Sequence, residues 1–265
     1  MSDLIHPSAL IDSQVEIGAN VAIGAFSYIS GKVKLADNVV LENHVSITGN
    51  TSIGEGTHIF PFASVGHAPQ DLKYAGEETT LEIGARNRIR EQVTINRGTK
   101  GGGGVTRIGD DCLFMNGSHV GHDCRVGNDV ILASNATLAG HVLIDDFAIL
   151  GGLTAVQQFC RVGAHAMVGG MTGVHKDLIP YGLATGNRAA LEGLNLVGLR
   201  RRGFSREVMV ELKEVLADIF FATQDDISSR VEAAANKFKG TEAKHLIDFI
   251  LADGERGFIA PEVRG

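Results

Sequence analysis

One short segment of the sequence carries groups suited to moving a proton. The run HVGHDCRVGN begins at residue 119 and places His119, His122 and Asp123 close together. A neutral imidazole can take a proton from an alcohol, and a neighbouring carboxylate can hold the ring in the useful tautomer. The segment is therefore a candidate acid–base site.

Further polar groups share a fixed spacing with His122. The interval from His122 to Gly140 equals the interval from Gly140 to Gln158, and His141 lies beside Gly140. Since glycine has no side chain to block the approach to its N–H, the Gly140 amide could stabilise an oxyanion. These groups can act together only if the fold stacks residues that are separated by this interval.

A six-residue repeat predicts such a fold. Apolar residues recur at every sixth position from Ile5 to Val65, from Ile83 to Ile95 and, after a slip of one residue, from Ile108 to Val174. An α-helix needs apolar spacings of three and four, and a single strand needs a spacing of two. A period of six is typical of a parallel β-helix, in which three short strands form a turn of about 18 residues around an apolar interior.

Residues one turn apart then form columns on the outside of the β-helix. The column of His122, Gly140 and Gln158 has two neighbours. These are Asn116, Ser134, Gly152 and Gly170 in one column, and His119, Thr137, Ala155 and Gly173 in the other. The sequence therefore predicts an imidazole, a glycine backbone and an amide on consecutive turns of one face.

Two segments interrupt the repeat and are predicted to project as loops. They cover residues 66–82 and residues 96–107, and the second contains four consecutive glycines. Loops on a rigid scaffold frequently carry binding groups.

The repeat stops after Pro180, and helical spacing follows it. Ser205 is a predicted N-cap for a helix to about residue 222, and further helices are expected near 227–238 and 242–251. We therefore expect a β-helix over residues 1–187 and a small α-helical domain over residues 188–265.

The composition argues against several classes of protein. The formal net charge of −7 argues against nucleic acid as a partner. No stretch of about 18 apolar residues predicts a membrane span, and the start MSDLIHPSAL lacks the features of a signal peptide.

The three cysteines, Cys112, Cys124 and Cys160, are too few and too irregularly spaced for a disulfide framework, so we expect buried thiols in a cytoplasmic protein. The 34 glycines are expected at tight corners, where they adopt backbone angles that other residues avoid.

Spacing alone leaves other interpretations of the histidines open. A histidine on a β-helix face, such as His44 or His165, is often an ordinary surface or interface residue. Some hexapeptide-repeat proteins, such as the γ-type carbonic anhydrases, bind zinc between subunits through three histidines, and His119, His122 and His141 fit that pattern too. A purely structural β-helix is a third possibility, although a scaffold has no need of ordered polar columns.

Seven motifs extend the comparison to a known family. They are QDLKYAGE (70–77), RNRIRE (86–91), NRGT (96–99), HVGHDC (119–124), SNATLAGHV (134–142), QQFCRVGAHAMVGG (157–170) and GLRRRGFS (198–205). Together and in this order they resemble the UDP-N-acetylglucosamine O-acyltransferases that begin lipid A biosynthesis. The resemblance implies a cytoplasmic homotrimer of left-handed β-helices with active sites between subunits. It also implies transfer of a 3-hydroxyacyl group from acyl carrier protein to the 3-position of UDP-N-acetylglucosamine, without a cofactor or a metal.

The resemblance also implies roles for individual residues. His122 would be the general base, with Asp123 supporting it and the Gly140 N–H binding the oxyanion. The substrate-binding residues it implies are Asp71 and Lys73 for the sugar and phosphate region, His119, His141 and Gln158 for the lining of the cleft, Asn195, Arg201 and Arg202 for the nucleotide, and Gly170 for the limit on acyl-chain length. A basic cluster of Arg200, Arg201, Arg202 and Arg206 is expected to receive the acidic acyl carrier protein.

The sequence departs from the family pattern at four positions. Asn96 and Gln157 stand where a histidine is common, Arg188 replaces another histidine, and Val197 replaces a glutamate near the uridine. These changes leave the base and the oxyanion group in place. They leave open the nucleotide affinity and whether the acceptor atom is a hydroxyl or an amine.

Overall fold

The structure is a computed structural model that describes residues 4–222, 226–252 and 254–261. Within these residues the chain winds through short strands that stack into three sheets. Sheet 1 consists of β1 (Leu10–Ile11), β4 (Tyr28–Ser30), β7 (Ser46–Thr48), β10 (Ser64–His67), β13 (Thr94–Asn96), β16 (His119–Val120), β19 (Thr137–Leu138), β22 (Ala155–Val156) and β25 (Gly173–Val174). Sheet 2 consists of β2 (Glu16–Ile17), β5 (Val33–Leu35), β8 (Asn50–Ile53), β11 (Thr80–Ile83), β14 (Val105–Ile108), β17 (Arg125–Val126), β20 (Leu143–Ile144) and β23 (Arg161–Val162). Sheet 3 consists of β3 (Ala22–Ile23), β6 (Val40–Leu41), β9 (His58–Ile59), β12 (Arg88–Ile89), β15 (Leu113–Phe114), β18 (Ile131–Leu132), β21 (Ile149–Leu150), β24 (Met167–Val168), β26 (Gly182–Thr185) and β27 (Ala190–Leu194).

The strand register confirms the predicted coil. Leu132 pairs with Leu150 in parallel, and Leu150 in turn pairs with Val168, so each turn of three strands advances by the predicted interval. All three side chains are buried in the apolar interior. Every turn therefore covers the apolar residues of its neighbour, and burial between turns stabilises the coil.

The three corners of the coil, where one sheet leads into the next, carry histidine, aromatic and other side chains outside the apolar interior. Corner 1, between sheets 1 and 2, contains His122, Asp123, Gly140, His141 and Phe159. Corner 2, between sheets 2 and 3, contains Phe147, His165 and Tyr181. Corner 3, between sheets 3 and 1, contains Phe26, His44, Phe62, Gly152, Leu153, Gly170 and Met171.

The glycines have a different role from the predicted one. Left-handed backbone angles at the corners are mostly adopted by other residues, such as Asp123 (φ 60°), His141 (φ 61°) and Phe159 (φ 65°). A Cβ atom at Gly109 would lie only 2.6 Å from the Gly127 carbonyl oxygen of the next turn. Glycine is required at such positions because adjacent turns approach too closely for a side chain.

Both predicted loops project where sheet 1 gives way to sheet 2. Val65 pairs with Ile95, which lies further along the chain than one regular turn, because residues 68–79 (loop one) are inserted between β10 and β11. Loop two, residues 97–104, contains a 3₁₀ turn at Lys100–Gly102. Both are shorter than the predicted segments 66–82 and 96–107, since the flanking strands extend into them.

The helical part begins later than predicted. β26 and β27 form an antiparallel hairpin, so the predicted boundary at residue 187 falls within its turn, and sheet 3 continues to Leu194. The helices are α1 (Leu196–Arg201), α2 (Arg206–Leu216), which continues as a π-helical turn (Ala217–Phe221), α3 (Ile227–Lys237) and α4 (Thr241–Leu251). Ser205 caps α2 as expected, since its hydroxyl accepts the Val208 N–H at 3.3 Å. No helix within the described ranges combines the length and apolar character needed to cross a membrane.

The last described segment returns to the β-helix. Asp177 accepts the Ile259 N–H at its carbonyl oxygen and donates its own N–H to Gly257, at 2.9 Å in both cases. The Asp177 carboxylate is buried and pairs with the Arg161 guanidinium at 2.6 Å. Residues 254–260 therefore close the last turns of the coil, a contact that no sequence pattern indicated.

Candidate active site

The His122 and Asp123 side chains meet at corner 1. His122 Nδ1 lies 2.8 Å from Asp123 Oδ2, and His122 and Asp123 are 8% and 6% exposed. A carboxylate at Nδ1 favours the tautomer whose proton is on Nδ1 and leaves Nε2 as a proton acceptor. Within the described chain, Nε2 has no hydrogen-bond partner. The Asp123 backbone is left-handed at this corner, with φ 60°.

Loop two holds the Asp123 carboxylate. Thr99 donates its N–H to Oδ1 at 2.8 Å and its hydroxyl to Oδ2 at 2.7 Å. The Asp123 N–H donates to the Thr106 hydroxyl at 2.8 Å. A Cβ atom at Gly102 would collide with the carboxylate, so one of the consecutive glycines is needed to cover it. These contacts fix the carboxylate and bury it.

Gly140 lies directly against the His122 ring. A Cβ atom on Gly140 would be 2.6 Å from His122 Nε2, so any larger residue would displace the imidazole. Within the described chain, the Gly140 N–H donates no hydrogen bond. The predicted stacking of these two residues is confirmed, and an available amide N–H lies beside the proton acceptor.

Two further imidazoles flank the pair. His141 stacks on Phe159 with centroids 4.6 Å apart and meets the His122 ring edge-on at 5.0 Å. The Thr94 hydroxyl contacts His119 Nδ1 at 2.6 Å. Burial lowers the pKa of both His119 and His141, and the nearby Asp123 charge only partly offsets this for His141. Both rings are therefore neutral at pH 7.

An open cleft of about 610 Å³ adjoins corner 1. Its wall includes Asp123 and His141 of the coil together with Asp71 and Lys73 of loop one. The remaining lining residues are Thr99, Gly101, Gly102, Arg125, Leu143, Phe159, Arg161, Gly254 and Glu255. The fold thus brings Asp71 and Lys73, two predicted substrate-binding residues that are distant in sequence, to the same cleft as Asp123 and His141.

Other predicted site residues lie elsewhere on the same chain. Asn195 caps α1 and donates its side-chain amide to the His165 carbonyl oxygen at corner 2, at 3.0 Å. Arg202 lies over the Phe147 ring of that corner, 4.4 Å from its centroid, and Arg201 is exposed nearby at the end of α1. Gln158 is exposed on the turn beyond Gly140 and accepts a hydrogen bond from Arg256 at its carbonyl oxygen.

Gly170 lies at corner 3, in the column that sequence spacing predicted. The Ser134 hydroxyl donates to the Asn116 amide oxygen at 2.7 Å, which confirms that this column is stacked. A Cβ atom on Gly170 would lie 3.3 Å from the Gly152 carbonyl oxygen, and the Gly170 φ angle is not left-handed. Gly170 therefore leaves space outside the coil and is not required by its backbone angle.

The three histidines of the zinc interpretation do not converge within this chain. The donor atoms that do lie within 4.8 Å of one another, among the described residues, belong to His122, Asp123 and His141. His119 is directed to Thr94 instead.

The residues that hold Asp123 were missed in the sequence. Thr99 belongs to the NRGT motif, which was noted without a role, and Thr106 has no distinguishing pattern. Thr99 reaches Asp123 from loop two, and Thr106 reaches it from β14. Arg161 and Glu255, which line the cleft, were also not singled out.

Comparison with known proteins supports an acyltransferase. Residues 177–259 match a family described as UDP-N-acetylglucosamine O-acyltransferase, domain 2, and residues 14–49 and 106–140 match the bacterial transferase hexapeptide repeat. The acyl-[acyl-carrier-protein]–UDP-N-acetylglucosamine O-acyltransferase of Paracoccus denitrificans is 52% identical over 203 residues, which is 77% of each chain.

Solved structures give the same result. The UDP-N-acetylglucosamine acyltransferase of Francisella novicida superposes with a TM-score of 0.93 at 35% identity, covering 98% of this chain and 95% of that one. The corresponding enzyme of Campylobacter jejuni gives a TM-score of 0.91 at 40% identity, covering 97% of this chain and all of that one. These likenesses confirm the left-handed parallel β-helix with a few C-terminal helices, and they do not favour the zinc-dependent alternative.

Proposed function

The chain belongs to the family of UDP-N-acetylglucosamine O-acyltransferases, and on that premise we propose that it transfers a 3-hydroxyacyl group from acyl carrier protein to the 3-position of UDP-N-acetylglucosamine, the first step of lipid A biosynthesis. The observation that carries the proposal is the His122–Asp123 pair beside the Gly140 N–H, next to a cleft that also contains Asp71 and Lys73.

The arrangement supports direct transfer without an acyl-enzyme. His122 Nε2 takes the proton of the sugar 3-hydroxyl, and the oxygen attacks the thioester carbonyl. The Gly140 N–H stabilises the oxyanion of the tetrahedral intermediate. When this collapses, the carbon–sulfur bond breaks, and the imidazolium returns the proton to the thiolate of the carrier. Asp123, held by Thr99, stabilises the imidazolium in between.

Loop one supplies the groups for the sugar nucleotide. Lys73 offers a positive charge for phosphate, and Asp71 offers carboxylate oxygens for sugar hydroxyls. His119, His141 and Gln158 line the acceptor and thioester path in this proposal. His119 and His141, being neutral, can accept or donate hydrogen bonds without adding charge.

A homotrimer would complete the site. Asn195, Arg201 and Arg202 lie at corner 2, opposite sheet 1, whereas His122 lies at corner 1 at the edge of that sheet. One chain therefore cannot bring both sets to one ligand, but a neighbouring copy can. Corner 3 exposes large apolar side chains that a neighbour would cover, including Phe26 (64%), Leu153 (58%) and Met171 (72%).

The basic cluster at the start of the helical part is the proposed docking surface for acyl carrier protein. Arg200, Arg201, Arg202 and Arg206 are all exposed there, at the end of α1 and the beginning of α2. Complementary charge raises the association rate of an acidic partner. The three cysteines are free and buried, in agreement with a cytoplasmic location.

One assay tests the proposal directly. Purified protein is incubated with acyl carrier protein thioesters of graded chain length and either UDP-N-acetylglucosamine or its 3-amino analogue, and the product is identified by mass spectrometry. Acylated sugar nucleotide is expected, and the better acceptor identifies the acceptor atom. No acyl transfer to either acceptor, together with stoichiometric zinc in the purified protein, would instead support the zinc-dependent alternative.

A further inference from the structure

Arg97 connects the two loops that form the cleft. It follows directly after β13 and is the first residue of loop two. Its Nη1 donates to the Gly66 carbonyl oxygen at 2.6 Å, where β10 leads into loop one. Its Nη2 donates to the Tyr74 hydroxyl at 2.9 Å, in the middle of loop one. One guanidinium therefore bridges the base of loop one and its centre.

The surroundings of Arg97 are built for this side chain. The guanidinium packs over Gly49 so closely that a Cβ atom there would collide with it. The Tyr74 hydroxyl in turn donates a hydrogen bond at 3.0 Å to the Glu77 carbonyl oxygen, which lies further along loop one. Both acceptors of the guanidinium are neutral, so its fork geometry, rather than an ion pair, explains why arginine occupies the position.

Loop one has few other attachments near its functional residues. Leu72 is fully exposed, and Lys73 is exposed as well. Within the part of the chain that the structure describes, the Asp71 side chain accepts only the local Lys73 N–H, at 2.9 Å. The Asn96 amide contributes a bond to the Ala68 carbonyl oxygen at 3.2 Å, at the start of the loop. Beyond Tyr74, the Lys100 N–H lies 3.5 Å from Glu77 Oε1 and Lys32 pairs with Glu78 at 3.0 Å. Among the described residues, the bond from Arg97 to Tyr74 is therefore the attachment nearest to Lys73.

We infer that Arg97 is a positioning residue that holds loop one so that Asp71 and Lys73 face the cleft. Two residues further on, Thr99 holds the Asp123 carboxylate. The same short segment thus sets the position of the nucleotide-binding loop and of the catalytic pair relative to each other. This inference rests on the proposed function for the roles of Asp71 and Lys73, but the anchoring itself does not depend on them.

The kinetic test uses Arg97→Gln and Arg97→Lys. Arg97→Gln should raise the KM for UDP-N-acetylglucosamine by about tenfold, the worth of a hydrogen bond to a charged group, and change kcat much less. Arg97→Lys should lie between this variant and wild type, because an ammonium at this length reaches one acceptor but not both. Tyr74→Phe should act in the same direction, and combining it with Arg97→Gln should add little, since both remove one connection.

Arg107→Gln is the matched control. Arg107 pairs with Glu82 at 2.9 Å on neighbouring strands of sheet 2 and contacts neither loop one nor the cleft. Removing this arginine should leave the KM unchanged. If Arg97→Gln and Arg107→Gln raise the KM equally, the positioning role of Arg97 is wrong. It is also wrong if Arg97→Gln lowers kcat and leaves the KM unchanged.

Limited trypsin digestion tests the anchoring without any activity measurement. Cleavage after Lys73, followed by mass spectrometry, should be several-fold faster in Arg97→Gln than in wild type or Arg107→Gln, at a similar thermal midpoint. Unchanged cleavage at Lys73 would refute the inference. If wild type fails to acylate the sugar nucleotide but the digestion result holds, the proposed function is wrong and the anchoring of loop one stands.

Discussion

At the scale of single residues, the candidate site contains two polar groups that no hydrogen bond of the described chain occupies, His122 Nε2 and the Gly140 N–H. The Asp123 carboxylate has three hydrogen bonds, two from Thr99 and one with His122. Because two of these three bonds come from Thr99 and the third from the imidazole, Asp123 acts on the substrate mainly by orienting His122. The two free groups are an acceptor and a donor, which is the pair that acyl transfer from a thioester to a hydroxyl requires.

The first prediction concerns His122. His122→Ala should lower turnover by roughly 10²–10⁴-fold, the usual worth of a positioned proton acceptor. The thermal midpoint should change little, because Asp123 keeps both of its hydrogen bonds from Thr99. The measurement is acyl transfer at saturating substrate together with thermal unfolding. A variant that retains more than about a third of wild-type turnover would remove His122 from the mechanism.

The second prediction concerns Gly170 and the acyl chain. Gly152 and Gly170 leave their column at corner 3 without a side chain on two successive turns, and each methylene of a tail buried in such a gap contributes about 0.8 kcal/mol. Gly170→Met should fold, because the Gly170 φ angle is one that other residues adopt and the Gly152 carbonyl oxygen, 3.3 Å from the added Cβ atom, needs to move only by a few tenths of an ångström. The methionine side chain should then fill the gap. Activity should be lost with long 3-hydroxyacyl donors and kept with shorter ones. A chain-length preference identical to that of wild type would exclude Gly170 as the limit.

At the scale of elements, corner 2 also connects the β-helix to the helical part. At corner 2 the rings of Phe147, His165 and Tyr181 stack at centroid distances of 4.7 and 5.7 Å. Phe204, which follows α1, meets His165 edge-on at 5.0 Å. The stack therefore joins the β-helix to the helical part through ring contacts, and it partly shields His165 from water.

The third prediction follows from the titration of His165. Burial, with smaller effects from Arg202 and His245 that outweigh the opposing Asp146, lowers its pKa to about 4. Between pH 6.5 and 4 the unfolded chain binds a proton at this residue and the folded chain does not, so stability falls as the pH falls through this range. Between pH 6.5 and pH 4, the thermal midpoint of His165→Phe should therefore decrease by a few degrees less than that of wild type. Phenylalanine suits the left-handed corner, as Phe147 (φ 64°) shows, and His165 Nδ1 has no hydrogen bond to lose.

His44→Phe provides the control for this prediction. His44 stacks between Phe26 and Phe62 at corner 3, at 5.2 and 5.1 Å, with the same left-handed backbone, but it is exposed. Its replacement should change the pH profile of thermal stability less than His165→Phe does, because the burial that lowers the pKa of His165 comes from its own chain. If His44→Phe and His165→Phe change the profile equally, burial at corner 2 is not the cause.

At the scale of the whole molecule, the distribution of predicted site residues over different corners supports assembly. His122 is at corner 1, Gly170 is at corner 3, and Arg201 lies with the helical part near corner 2. In a closed ring of three copies, corners of different subunits face one another. A site built between copies would use all of these residues at once.

The fourth prediction tests this sharing by mixing inactive variants. His122→Ala and Arg201→Ala chains, each nearly inactive alone, are unfolded together and refolded in equal amounts. If each site takes His122 from one chain and Arg201 from its neighbour, about a quarter of the sites receive both intact residues. Activity near that fraction of wild type is expected. Full activity of wild type as a monomer at high dilution, or no recovery on mixing, would contradict a shared site.

The sequence by itself determined the coil and the position of the proposed catalytic pair. The period of six produces apolar contacts between residues one turn apart, as Leu132 and Leu150 show, and this local rule is repeated turn after turn. His122 and Asp123 are adjacent in sequence, and Gly140 is one turn away, so the repeat alone placed them together. The resemblance to a family supplied the left hand and the substrates, which no spacing contains.

Only the tertiary structure decided what surrounds that pair. Thr99 reaches Asp123, Arg97 reaches Tyr74, and residues 254–260 return to Asp177 through contacts that depend on how loops and helices fold back over the coil. Each of these contacts occurs once and joins residues that are far apart in the sequence, so no repeating pattern in the sequence predicts it. The hairpin of β26 and β27 escaped prediction for a related reason, since its pairing depends on the end of sheet 3 that it extends.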